Sequence, residues 1–226
     1  MCPFCYIGKR KFEKAMSQFS GKNNVEIEWK SYQLMPALKT QEGRNLDQFL
    51  AEEKGICPEQ AKAMNARAVQ MAELENLVYN FDKAIPANTF DAHRFIHAAK
   101  QEGKQEEAEE MLFRSYFTDG KNIDDHATLL ELGKDIGLNT DNLKTALQNG
   151  SFAEDVQADI QEAQEIGVRG VPFFVFNRKY AVSGAQDSQV FLQTLEKSFE
   201  EWQKEDPGTN FETIEGKVCT PGQNCD

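Results

Sequence analysis

Gly167-Val168-Arg169-Gly170-Val171-Pro172-Phe173-Phe174-Val175-Phe176 is the stretch on which the fold turns. A glycine-containing turn leads into a proline and then into four apolar residues, which reads as a short buried strand. Asn177-Arg178-Lys179 turns the chain into Tyr180-Ala181-Val182-Ser183, a second strand, so the two form a hairpin. Asp187 or Ser188 then caps a helix to about Lys204, and the tail beyond Pro207 is loop-like. The chain thus ends strand, strand, helix.

At the other end, Cys2-Pro3-Phe4-Cys5 opens a helical segment over about 3–19. Phe4, Ile7, Phe12, Ala15, Met16 and Phe19 fall near a 3.6-residue spacing, and Lys9, Arg10, Lys11 and Lys14 supply the wet side. Ser20-Gly21 stops it, Asn23-Asn24 turn the chain, and Val25-Glu26-Ile27-Glu28-Trp29 alternates as a strand does. A C-x-x-C at a helix start suits thiol chemistry. The first cysteine faces unpaired backbone N–H groups and the positive end of the helix dipole, which favour thiolate over thiol. The second lies one turn inside, near enough to close a disulfide with the first, and Pro3 loses no hydrogen bond there. Taken alone, the motif leaves a redox couple, half of a zinc site and a chance pair all open.

Between these ends the pattern is helical. Asn45 caps a segment carrying Leu46, Phe49 and Leu50, and Pro58 opens an Ala-rich helix predicted to run to about Tyr79. Asn88-Thr89 precede a helix with Phe90, Phe95, Ile96 and Ala99 on it. Further patterns cover 106–117, 127–136, 141–147 and 152–166, separated at Gly120, Gly137 and Gly150. The acidic run 106–110 reads as a solvated helix face. The expected class is therefore α/β: a small α/β unit (1–37 and 166–205) split by an all-helical insertion (38–165), followed by a tail (206–226) with a cysteine pair.

Strand, hairpin and terminal helix after Pro172 follow the order of a thioredoxin-type half, and further residues carry a family resemblance. Cys2-Pro3-Phe4-Cys5-Tyr6-Ile7-Gly8-Lys9, Asn88-Thr89 with Ala92-His93-Arg94, the stretch from Gly167 to Phe174, and Ser183-Gly184-Ala185-Gln186 occur in that order. Together they resemble the DsbA-family thioredoxins of the FrnE-like group, over nearly the whole chain to about residue 205. The resemblance implies a thioredoxin-like fold interrupted by a helical cap, with a cis Val171–Pro172 bond that sets Pro172 against the active-site sulfurs. It implies that Cys2 attacks and forms the mixed disulfide and that Cys5 resolves it. Phe4 brings neither charge nor donor, so thiolate stabilisation is expected mainly from the backbone. Pro172 has no N–H to donate, which leaves the Val171 backbone to pair with a substrate strand. His93 belongs to the resembling segment and either lines the cleft under the cap or is a satisfied, partly buried histidine.

The implied activity is thiol–disulfide exchange with protein or small thiol substrates, with no metal or organic cofactor and with glutathione as a candidate reductant. Related families, the 2-hydroxychromene-2-carboxylate isomerases and kappa-class glutathione transferases, bind glutathione and carry Ser where this chain has Cys2. A glutathione-dependent isomerase or transferase is thus the alternative, and a redox-sensitive binding protein a third reading.

The remaining features set bounds. Among 226 residues, Lys plus Arg total 25 against 37 Asp plus Glu, a formal net charge of −12 that argues against nucleic acid or an anionic membrane as the main partner. No apolar run approaches the roughly 18 residues of a membrane span, and no basic segment with a following apolar stretch marks a secretory signal, so the expected setting is cytoplasmic. Five cysteines are too few and too scattered for a disulfide scaffold. Cys219 and Cys225 flank a Pro-Gly turn, and three readings stand: an accessory dithiol exchanging with Cys2 and Cys5, a local disulfide, or a four-thiol zinc site, for which the spacer is wide. Cys57, before Pro58, reads as a bystander. His93 and His97 share a helix face, but the segment lacks the glutamate beside the first histidine that a zincin needs, so no metal is expected.

One departure from the family pattern concerns the front of the chain. A thioredoxin fold begins with a strand leading into the C-x-x-C helix, and Met1 alone precedes Cys2. The expectation is a fold short of its first strand, either because the natural chain starts about ten residues upstream or because this sequence is a shortened form, with Val25–Trp29 left without its central partner.

Overall fold

The structure, a computed structural model, describes residues 1–205; Cys219 and Cys225 lie outside them. Helix α1, Pro3–Gln18, has Pro at its first position and Cys2 as its N-cap, in extended conformation without a side-chain cap. Its opposite faces enter two different cores. Tyr6 and Ile7 join a large cluster built mainly from helices, whereas Ala15 and Phe19 pack with Val182, Phe191 and Leu195.

The helical part begins with α2, Leu46–Lys54, and α3, Pro58–Glu73. Asn45 caps α2 by accepting from the Gln48 N–H at 3.1 Å. Helix α3 ends six residues before the predicted Tyr79, because Asn76 takes a positive φ and the chain turns there. Helices α4, Phe90–Gln101, and α5, Gln105–Arg114, follow, and α5 runs into a π-helical turn, Ser115–Asp119. That wide turn is tied down by residues 78–80: the Asn80 N–H donates to the Phe117 carbonyl at 2.7 Å, and Thr118 Oγ1 donates to the Val78 carbonyl at 2.6 Å. Helices α6, His126–Asp135, α7, Thr140–Asn149, and α8, Ala153–Glu165, complete the layer. Arg94 on α4 caps the end of α7, its guanidinium donating to the carbonyls of Ala146, Leu147 and Ser151 while paired with Asp91 at 2.6 Å.

Strands β1, Phe173–Phe176, and β2, Tyr180–Ser183, pair antiparallel with Phe173 opposite Ser183. Asn177 and Arg178 both take positive φ, as the tight hairpin turn matching strand twist requires. Helix α9, Ser188–Glu205, closes against α1 and the hairpin through Phe191 and Leu195. The architecture is the DsbA-like one expected, mostly helical around a small sheet.

One expectation is corrected. Val25–Trp29 forms no strand; among the described residues the sheet has only β1 and β2. At its end a side chain takes the place of a strand neighbour. Gln105 accepts from the Trp29 N–H at 3.2 Å and donates to the Trp29 carbonyl at 3.0 Å, standing in for a neighbouring strand. Just beyond, the Ser31 N–H donates to Asp159 at 2.9 Å. Among the described residues no helix is long and apolar enough to cross a membrane.

Candidate active site

Cys2 and Cys5 stand at the N-terminus of α1, both as free thiols and both partly buried. The Cys5 N–H donates to the Cys2 carbonyl at 3.2 Å, closing the first turn. Hydrogen bonding from the Cys5 thiol is the largest influence on Cys2. Burial opposes it, the N–H groups of Cys5 and Phe4 reinforce it, and the Cys2 thiol is lowered to about 7. Cys5 moves the other way. The same sulfur contact, burial, and the charges of Cys2 and Glu109 push its thiol well up. One turn of helix thus holds a ready thiolate and a reluctant one. The backbone does stabilise Cys2, but the neighbouring thiol does more.

The Val171–Pro172 bond is cis. The Cys2 thiol donates to the Val171 carbonyl at 3.4 Å, which brings the N- and C-terminal motifs into contact across 169 residues of chain. Gly8 permits this approach: a Cβ there would meet Pro172 Cγ at 3.1 Å and Phe174 Cζ at 3.3 Å. Phe4 is 39% exposed beside the sulfurs. Cys2, Cys5, Phe4, Val171, Pro172 and His93 all line one cavity of about 1620 Å³, whose wall includes Met35, Met71 and Phe81. Burial lowers His93 to about 4, so its ring is neutral there.

His97 is not part of this cavity wall. Its Nε2 lies 3.1 Å from both Ser31 Oγ and Asp159 Oδ2. A serine relay would need the two partners on different ring nitrogens, so this trio is a structural clamp. Among the described residues no cluster fit for a metal occurs. Cys57 is exposed at the start of α3.

Three features escaped the sequence reading. Tyr79 donates its hydroxyl to the Pro3 carbonyl at 2.7 Å, so a residue of the helical part holds the peptide between the cysteines. Beneath it, Tyr6 stacks on Phe113 at 4.9 Å and Tyr79 on Phe117 at 4.7 Å between centroids. The acidic run of α5 is not simply a solvated face. Lys9 is 4% exposed and meets Glu106 at 2.5 Å, Glu110 at 3.0 Å, and Glu13; Arg10 also pairs with Glu110, and Tyr6 donates to Glu110 at 2.5 Å. Glu109 is buried, and burial, with Glu106 adding and Lys9 opposing, raises its carboxyl to about 8. The available signal was spacing: Glu109 sits three and four residues before Leu112 and Phe113, on the apolar side of α5.

Known proteins give this geometry a context. The model of the DSBA-like thioredoxin domain matches residues 1–196. The protein YwbO of Bacillus subtilis (strain 168) is 29% identical over 198 residues, which cover 86% of this chain and 91% of that one. A crystal structure described as a probable DsbA oxidoreductase from Streptomyces coelicolor superposes with a TM-score of 0.82 at 33% identity, covering 98% of this chain and 93% of that one. A 2-hydroxychromene-2-carboxylate isomerase superposes with a TM-score of 0.63 at 13% identity, covering 92% and 95%, a likeness of fold alone. With the matched domain running from the first residue into α9, the chain belongs to the DSBA-like thioredoxin domain family.

Proposed function

We propose that this chain is a thiol–disulfide oxidoreductase that exchanges disulfides with thiol-bearing proteins or small thiols through Cys2 and Cys5. The observation that carries the reading is the opposed pair itself. Cys2, lowered to about 7, is a substantial fraction thiolate near neutrality, while Cys5 keeps its proton one turn deeper.

Cys2 Sγ attacks a substrate disulfide, forming a mixed disulfide and releasing one substrate thiolate. Cys5 Sγ then loses its proton and attacks Cys2 Sγ, which breaks the mixed disulfide and frees the second substrate thiolate. The substrate gains two electrons, and the cysteine pair loses them. Run backwards, the steps oxidise a substrate dithiol. Phe4 offers an exposed apolar surface beside the sulfurs, and Val171 and Pro172 the facing wall. A cytoplasmic thiol such as glutathione would return the pair to its dithiol form, and no metal or resident organic cofactor is assigned a step.

Cys2→Ser is expected to abolish insulin reduction and the reactivation of scrambled ribonuclease, and Cys5→Ser to trap a mixed disulfide visible by mass spectrometry without reductant. Full activity in Cys2→Ser would refute the reading. A second reading draws on the large cavity with Met35, Met71 and Phe81 in its wall: glutathione-dependent isomerisation or transfer on a small apolar substrate. It predicts glutathione-conjugating or isomerase activity that survives Cys5→Ser.

A further inference from the structure

Beneath the cysteine turn the core is built of rings, and three of them are of the kinds that give up a single electron most readily. Tyr6 lies four residues after Cys2, one turn along the same face of α1. Tyr79 donates to the Pro3 carbonyl at 2.7 Å, so its hydroxyl stands within one residue of Cys2. Burial pushes that hydroxyl up, and the charges of Tyr6, Cys2 and Cys5 add to the effect. Tyr6 and Tyr79 are stacked with their centroids 6.3 Å apart. On its other side Tyr6 stacks on Phe113 at 4.9 Å, and Phe113 meets the Trp29 indole edge-on at 6.2 Å. Ring contact therefore runs unbroken from the cysteine turn to Trp29, which is only half-buried.

Hydrophobic packing accounts for the rings but not for their polar partners. Tyr6 donates to Glu110 at 2.5 Å. Burial raises the Glu110 carboxyl, but hydrogen bonds from Arg10, Tyr6 and Lys9 outweigh that and lower it, so it is charged near neutrality and open to a proton. The Trp29 Nε1–H donates to Glu106 at 2.7 Å. A phenol or an indole that loses an electron becomes a strong acid, and each of these two already points its proton at a carboxyl group. Tyr79 faces a peptide carbonyl instead, which accepts a hydrogen bond but no proton, so its ring passes charge on and does not keep it.

A cysteine that is largely thiolate near neutrality is open to one-electron oxidation as well as to exchange. A neighbouring thiolate would trap the resulting thiyl radical, but Cys5 keeps its proton. We propose that the rings from Tyr79 through Tyr6 to Trp29 repair Cys2 after a one-electron oxidation, a property separate from disulfide exchange. The oxidant is a small radical that takes one electron from the Cys2 thiolate. One electron then passes from Tyr6 through the Tyr79 ring to Cys2 Sγ, restoring the thiolate, while the Tyr6 phenolic proton moves to Glu110. Trp29 gives one electron to the Tyr6 phenoxyl radical, which takes its proton back from Glu110, and the indole proton moves to Glu106. A small one-electron donor in solution reduces the Trp29 radical, and Glu106 returns the proton. One electron has left and one has entered, with no bond between heavy atoms made or broken.

The test places the radical on Cys2 with light. In a chain carrying Cys5→Ser, Cys57→Ser, Cys219→Ser and Cys225→Ser, Cys2 is the remaining cysteine. A laser flash splits the S–N bond of its S-nitroso derivative, releasing nitric oxide and leaving the thiyl radical. Transient absorption is expected to show that radical replaced by a phenoxyl radical and then by an indolyl radical. Tyr6→Phe should lose both aromatic signals and leave the thiyl radical long-lived. Trp29→Phe should keep and prolong the phenoxyl signal and lose the indolyl one. Aromatic signals undiminished in Tyr6→Phe, or an indolyl signal undiminished in Trp29→Phe, overturn the proposal. So does the absence of any aromatic radical in the parent, which decides the matter should either variant fail to fold. No disulfide substrate is present, so this failure and that of the exchange reading are told apart.

Discussion

The two ends of α1 rest on very different foundations. Its first turn, with the cysteines, sits on the helical part: Tyr6 and Ile7 enter a core with Phe95, Leu112, Phe117 and Leu129, Tyr79 from that same core bonds the Pro3 carbonyl, and the Lys9 network ties α1 to α5. Its last turns sit on the hairpin and α9, where among the described residues the fully buried cluster is Ala15, Phe19, Val182, Phe191 and Leu195, with half-buried rings such as Phe12, Phe174 and Phe176 packed on it. The hairpin side supplies the Pro172 wall, but the helical part holds the cysteine turn. In this chain the cap is as much foundation as lid.

The sharpest way to break that contrast is to cut into each core. Phe117→Ala is expected to cost about 3–5 kcal/mol in urea denaturation, as for a fully buried aromatic, and Phe176→Ala in the hairpin about 1–2 kcal/mol. Equal losses would sink the idea that the helical core dominates.

Asp159 tests the seam between α4, α8 and the segment at Ser31. Burial raises its carboxyl, but hydrogen bonds from His97, the Ser31 N–H and Lys30 outweigh that and lower it to about 2. A depressed carboxylate contributes stability that is present above its unfolded value of about 4 and lost as pH falls through about 2. Asp159→Ala is expected to cost about 2–4 kcal/mol near neutrality and to lack that acid-dependent loss, read from melting curves at several pH values.

Two smaller changes probe the first turn directly. Removing the S–H donor in Cys5→Ala should move the Cys2 alkylation midpoint from about 7 toward the ordinary thiol value of about 8.5. A midpoint that stays put would assign the stabilisation to the backbone alone. Tyr79→Phe deletes the hydrogen bond to the Pro3 carbonyl and should cost about 1 kcal/mol, with a change of a few-fold in Cys2 alkylation rate. No change in that rate would uncouple the helical part from the cysteines.

Where local chemistry decides, the sequence was a good guide. Pro3 and Pro58 open their helices, Asn45 caps one, and the apolar run after Pro172 forms its hairpin. These signals lie within a few residues of what they specify. Val25–Trp29 shows the limit: alternation gives a strand's shape, but a strand also needs a neighbour, and here Trp29 finds its backbone partner in the Gln105 side chain on a helix. Tyr79 and Glu109 act on residues more than seventy positions away, and nothing in their own neighbourhoods names the target. The acidic run of α5 misled for a related reason. Charge suggests water, yet within little more than one helical turn the geometry pointed Glu109 inward and gave Glu106 and Glu110 to the basic face of α1.

Gly8 has a consequence beyond this one chain. The space between α1 and the far wall is narrower than a comfortable methyl contact, and Phe174 fills the other side of it. Positions 8 and 174 therefore share a fixed allowance of volume, so a relative carrying alanine or serine at the first should carry a smaller side chain at the second. Paired variation of that kind, sought across many sequences, would identify which relatives keep the cysteine turn and the proline wall at the same separation.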